Sequence, residues 1–215
     1  MKIHILIILF VIVFGRLGAE SESVMLSPVL TEYLAENPKM NAVASKILRE
    51  GIGDWPVEVF YFYSNDESRA RAFHTVARER KIFIFIRENQ SAYDQFLCLL
   101  YEALNATSQP KFQKVVAEAS KGNISAEAFA ESIMQIEHGT TMRVQDILRK
   151  LSPSESDKED SYLHNRIINC PADYEASREY TKRVSPNRDL KKEYIEKYHR
   201  AFGGKNEPSS GADGN

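Results

Sequence analysis

The 215-residue chain holds only two cysteines, Cys98 and Cys170, and neither belongs to a Cys-x-x-Cys pair. A metal cage built on cysteine is therefore not expected. Cys98 falls inside an apolar helical stretch and reads as a buried free thiol; the alternative, for an exported protein, is a disulfide with Cys170. Histidine offers no metal pair either, with five in the chain. No two of His74, His138, His164 and His199 lie three or four residues apart, so no helix can aim two imidazoles at one ion. Gly-x-Ser-x-Gly and glycine-rich phosphate loops are missing, which removes the usual signatures of serine hydrolases and nucleotide binders. An excess of basic charge is missing too: 28 Lys and Arg stand against 30 Asp and Glu, for a net charge of −2. That balance predicts no nucleic-acid partner and no strong attraction to anionic lipid. There is no internal repeat.

What is present suits a folded protein. Apolar residues make up 43% and charged residues 27%, which is ordinary globular composition. Residues 1–19 read as a secretory signal: Lys2, then an apolar run over residues 3–14, then small residues up to Ala19. The run is shorter than the ~20 residues needed to span a bilayer, so no stable membrane span is expected after cleavage. Cleavage would remove Lys2 and Arg16 and move the net charge from −2 to −4.

Along the rest of the chain, Ser27-Pro28 opens a helix, and residues 39–50 carry Met40, Val43, Ala44, Ile47 and Leu48 at helical spacing. VEVFYFY over residues 57–63 reads as a strand. Residues 69–79 fit a helix or a strand, and a strand is preferred. KIFIFIR over residues 81–87 is the clearest strand, with Ile82, Ile84 and Ile86 on one face and Phe83 and Phe85 on the other. Two apolar faces predict cover on both sides. An amphipathic helix follows to Ala106, with Tyr93, Phe96, Leu97, Leu100 and Leu104 as its stripe. Helices are expected at 111–120 and 126–151, then a polar linker, then helical pieces up to residue 202. The predicted fold class is α+β: a small antiparallel or mixed sheet against that central helix, followed by a mainly helical C-terminal half. The division is a signal peptide 1–19, an α+β domain 20–151, a helical extension 152–202 and a polar, disordered tail 203–215.

One motif in the central helix bears on chemistry. Tyr101-Glu102-Ala103-Leu104-Asn105 occupies the place where a metalloprotease carries His-Glu-x-x-His. In that motif two histidines one turn apart bind zinc and the glutamate activates water. Further on, Glu137 falls on the apolar stripe formed by Ala130, Ile133, Met134, Thr141, Val144 and Leu148. An acid on a packing face needs a partner, a proton or a metal.

From residue 57 to 151 the chain resembles a zincin metalloprotease of the gluzincin arrangement, on the order of strand VEVFYFY, strand KIFIFI, helix LLYEALNA and the helix bearing Glu137. The resemblance implies a substrate cleft edged by the strand before the helix. It places Tyr101 and Asn105 at the zinc histidines, Glu102 at the catalytic base and Glu137 at the third ligand. Two of three ligands are replaced, so it implies a pseudo-enzyme with no metal and no cofactor, able to hold a peptide or a protein. Two other readings stay open. One is a hydrolase that uses Glu102 and Glu137 without zinc, or with a rearranged set that includes His138. The other is a helical interaction protein that docks through its last helix.

Overall fold

The structure is a computed structural model, and it describes residues 26–51, 55–65, 71–77, 81–186 and 188–203. The expected signal segment 1–19 lies outside the described residues, as does all of the expected tail except Gly203. The described residues form nine helices and three strands in the order α1 (Pro28–Glu36), α2 (Pro38–Glu50), β1 (Val57–Phe62), β2 (Ala72–Val76), β3 (Ile82–Arg87), α3 (Ala92–Ala106), α4 (Gln109–Ser120), α5 (Ala126–Leu151), α6 (Glu155–Asp160), α7 (Tyr162–Ile168), α8 (Tyr174–Val184) and α9 (Leu190–Phe202). The fold is α+β, with a small mixed sheet and a mainly helical C-terminal half.

Local chemistry sets most helix starts. The hydroxyls of Ser27, Ser91, Ser125, Ser154 and Ser161 and the carboxylates of Asp173 and Asp189 each accept from a backbone N–H in the first turn of the helix that follows. The polar stretch expected to be a linker is in fact largely α6. Ser154 accepts from the Asp157 N–H and donates to Asp157 Oδ2 at 2.7 Å, a reciprocal cap strong enough to wind six polar residues.

The sheet order is β1-β3-β2, with β1 parallel to β3 and β2 antiparallel to it. Parallel neighbours need a long crossover; here the intervening chain contains β2 itself. Register places Val57, Val59, Tyr61, Ala72, His74, Val76, Ile82, Ile84 and Ile86 on one face. The three isoleucines are at most 1% exposed. Among the described residues the expected cover on the other face of β3 is partial: Phe83 and Phe85 are half-buried there and belong to neither core cluster. β3 is also the central strand, so its backbone groups are taken by β1 and β2 and it edges no cleft.

α3 is buried almost all round, where a single apolar stripe was expected. Every residue from Tyr93 to Leu100 is buried, because β2, β3, α1, α2, α5 and α7 all pack on this helix. The polar residue inside that ring, Gln95, is wholly buried. Its Oε1 accepts from Ser27 Oγ at 2.6 Å, and its Nε2 donates to the carbonyls of Glu88 at 3.0 Å and Gln90 at 3.2 Å. At the other end, Arg143 closes the turn into α4 by donating to Leu104 O, Thr107 Oγ1 and Ser108 Oγ, a cation at a helix C-terminus.

Two apolar clusters result. The larger joins α1, α2, the isoleucine face, α3 and the C-terminal half of α5, with Ile167 of α7. The smaller joins Ala119 of α4, Phe129 and Ile133 of α5, and Tyr198 and Phe202 of α9. Residues after 151 thus contribute to both cores.

Replacing Gln95 with Leu keeps the volume but leaves Ser27 and two carbonyls without their partner. We expect Gln95→Leu to cost about 1–3 kcal/mol in urea denaturation. A neutral result would show that water replaces the amide at this site.

Candidate functional site

The four motif residues all lie where α3 faces α5 and the sheet, and each meets a partner within the chain. Glu102 projects toward β2. Its Oε2 lies 2.7 Å from His74 Nδ1, and both side chains are about 11–12% exposed. His74 stands opposite Ile84 in the ladder, on the core face of the sheet. This partner was missed in the sequence because it depends on which strand lies beside β3; the inward parity of His74 in β2 was the available signal.

Glu137 receives a hydrogen bond from Tyr194 of α9, with Tyr194 Oη 2.5 Å from Oε1. Burial raises the Glu137 carboxyl above its ordinary value, and the negative charge of Glu102 adds to the rise; the Tyr194 hydrogen bond and the charges of Lys197 and Arg188 oppose it. The Tyr194 hydroxyl is itself pushed well up, by burial first and then by Glu137. Tyr194 belongs to the apolar side of the last helix, so the sequence held both halves of this bond but not their pairing.

Tyr101 is partly buried, and burial followed by the charge of Glu137 raises its hydroxyl pKa; the Thr141 hydroxyl lies within hydrogen-bonding reach. Asn105 is buried, and its Oδ1 accepts from Thr140 Oγ1 at 3.1 Å. Tyr101, Glu102 and Glu137 are close enough to feel one another's charge, while Asn105 turns to the next step along α5.

Other candidates fall elsewhere. His138 is not part of the cluster: its Nε2–H donates to Pro171 O at 2.9 Å, and its ring packs on Tyr174. One residue along a helix turns a side chain by about 100°, which is why Glu137 and His138 part. Cys98 and Cys170 are both free, so the disulfide alternative is not realised. Burial pushes the Cys98 thiol up to about 12, which makes it inert.

Among the described residues, no group of three or more His, Cys, Asp and Glu side chains is placed to hold a metal ion. A phenol driven toward its neutral form and an amide engaged with Thr140 make a poor donor set for zinc. Two cavities stand out among the described residues. One of about 170 Å³ is lined by Tyr33, Ser91, Tyr93, Asp157, Asp160 and Ser161 among others. The other, of about 470 Å³ between α4 and α5, is lined by Lys111, Lys114, Val115, Ile124 and Ile136 among others. None of Tyr101, Glu102, Asn105 and Glu137 lines either.

The raised Glu137 carboxyl makes stability depend on pH. Below the ordinary value of 4.5 it is protonated in both folded and unfolded chains. As pH rises through the higher folded-state value, the folded protein must ionise a desolvated group and loses stability. Glu137→Gln cannot ionise. Its stability relative to wild type should therefore grow as pH climbs above 4.5, in urea titrations at a series of pH values. A difference that stays flat with pH would refute the assignment.

Compared with known protein families, with curated proteins and with solved structures, the chain matches none.

Proposed function

We propose that this chain is an exported, non-catalytic α+β protein that binds a peptide or protein, built on a metalloprotease-like scaffold whose former ligand positions now serve as internal struts. One observation carries the reading. Glu102, Glu137 and Asn105 each hold a hydrogen-bond partner inside the chain, from β2, α9 and α5 respectively. Groups held this way are engaged within the fold, and none of them lines either cavity described above. Kinship with zincins is part of the proposal; it rests on the order of strand, helix and second helix, and on the approach of Tyr101, Glu102 and Glu137.

Purified protein should contain no stoichiometric zinc and leave a general peptide library uncut; zinc at one per chain, or cleavage, overturns the reading. Kinship has its own test. Tyr101→His with Asn105→His should create a zinc site with Glu137, read by metal analysis after dialysis. A double variant that folds but takes up no zinc removes the zincin scaffold and leaves the non-catalytic reading standing. Export is checked separately: protein recovered from the medium should begin at Glu20.

The His74–Glu102 pair supports a second reading. A carboxylate 2.7 Å from an imidazole nitrogen can orient that imidazole as a general base. On this reading any turnover found with the wild type falls at least about 100-fold in both His74→Ala and Glu102→Gln. Full activity in either variant ends it.

A further inference from the structure

The larger cavity, of about 470 Å³, is an open groove along the hairpin made by α4 and α5. Arg143 of α5 donates to Thr107 and Ser108, at the start of α4, so the two helices run antiparallel beside the groove. Its floor is apolar. Val115 and Ile124 are half-buried and pack against the smaller core cluster, and Ile136 is half-buried beside them.

The rim is basic. Lys111 and Lys114 are exposed, and neither forms an ion pair among the described residues. Glu118, the acid on the same wall, is engaged by Lys121 at 3.4 Å and Asn123 at 2.8 Å. Arg143 stands at the Lys111 end, because Ser108 lies three residues before Lys111. Its other acceptors, Leu104 O, Thr107 Oγ1 and Thr140 Oγ1, are uncharged. Three cations thus line one end of the groove, and none of them is paired with a carboxylate among the described residues.

The α5 wall carries a glycine. Gly139 lies three residues after Ile136 and four before Arg143, so the three share one side of the helix. It is exposed, and a Cβ there would meet nothing within 4 Å. Glycine is poorly suited to a helix interior, and no neighbour within the chain uses the space. Close approach of another backbone does use it.

These features narrow the occupant. An extended peptide needs backbone partners, but helical walls keep their N–H and C=O groups for their own ladders. A flat bilayer meets the exposed lysines first and leaves the recessed floor untouched. A small ligand is held by enclosure, and this groove is open. From Ser132 to Arg143 the α5 wall runs about 16 Å. The exposed acidic helices of a second copy, α1 and α6, have nine and six residues and are too short to fill it. A helix satisfies its own backbone, lays an apolar stripe on the floor and carries carboxylates to the rim.

We propose that the α4–α5 groove binds an acidic amphipathic helix of a partner protein, with the apolar stripe over Val115 and Ile136, the helix backbone close to Gly139, and carboxylates one turn apart meeting Lys111 and Lys114. The inference rests on the peptide- or protein-binding part of the proposed function and is independent of kinship with zincins.

The probe is a synthetic 18-residue helix with leucine on one face and glutamate on its flanks; the control has lysine in place of each glutamate. Every core residue lies after Glu20, so the chain beginning at Glu20 keeps both cores. By fluorescence anisotropy it should bind the acidic helix with a Kd below about 1 mM and at least about tenfold more tightly than the control. Amide chemical shifts should move along α4 and α5. Lys111→Glu with Lys114→Glu should reverse the preference between the two peptides. Gly139→Leu should abolish binding with an unchanged or higher thermal midpoint, since no neighbour in the chain fills that space and leucine favours helix; it also covers the case in which the lysine variant fails to fold. Overturning results are no binding of the acidic helix, equal binding of both peptides, retained binding or preference in these variants, or a concentration-dependent dimer that Gly139→Leu abolishes. Shifts confined to another surface overturn the groove and leave the peptide-binding reading standing, whereas zinc or cleavage ends the non-catalytic reading and leaves the groove untouched.

Discussion

Enclosure of α3 is the constraint on which the rest of the fold depends. A helix buried on nearly every side cannot leave its polar side chains to water, and an unpaired buried polar group costs about 1–3 kcal/mol. Four of the packing elements, α1, β2, α5 and α7, answer them. Ser27 at the start of α1 serves Gln95. Arg71 and Ser161 serve Asp94. His164 of α7 meets the Tyr93 hydroxyl at 2.7 Å, His74 of β2 meets Glu102, and Thr140 of α5 meets Asn105. Apolar packing alone would let these elements slide or rotate against α3; a specific polar partner on each fixes its register. The Tyr-Glu-x-x-Asn motif belongs to this set of contacts.

The same constraint explains what could be read from the sequence. Helix starts were legible because a cap is a local event, decided within four residues at Ser27, Ser91 and Ser125. Strands β1 and β3 were legible from β-branched and aromatic density, and β2 only as the preferred of two readings for residues 69–79. Pairing was not. Placing β3 between β1 and β2 depends on contacts across the chain, and with that order came the position of His74 and the shared face of the phenylalanines. The reciprocal Ser154–Asp157 cap was local and could have been found; the acidity of the stretch suggested a linker instead.

Glu137 marks the boundary between the two kinds of information. An acid on the apolar stripe of α5 announced that something must satisfy it, and the structure answers with Tyr194. The identity of that partner depends on α9 folding back along α5, which follows from apolar residues on both helices: Phe129 and Ile133 on one, Tyr198 and Phe202 on the other. Tyr198 adds a bond to the Ile124 carbonyl at 2.9 Å. The last helix, read in the sequence either as a contact for a partner or as a packing element of its own domain, spends its apolar side on α5.

Perturbed carboxyl groups often mark active sites, because catalysis needs a proton held at an unusual affinity. The inference requires access as well as perturbation. Glu137 has the perturbation: burial and the neighbouring Glu102 both favour its neutral form. Its Oε1, however, is engaged by Tyr194, and it lines neither cavity described above. The perturbation therefore fits a structural cause, the meeting of α3, α5 and α9 around two acids.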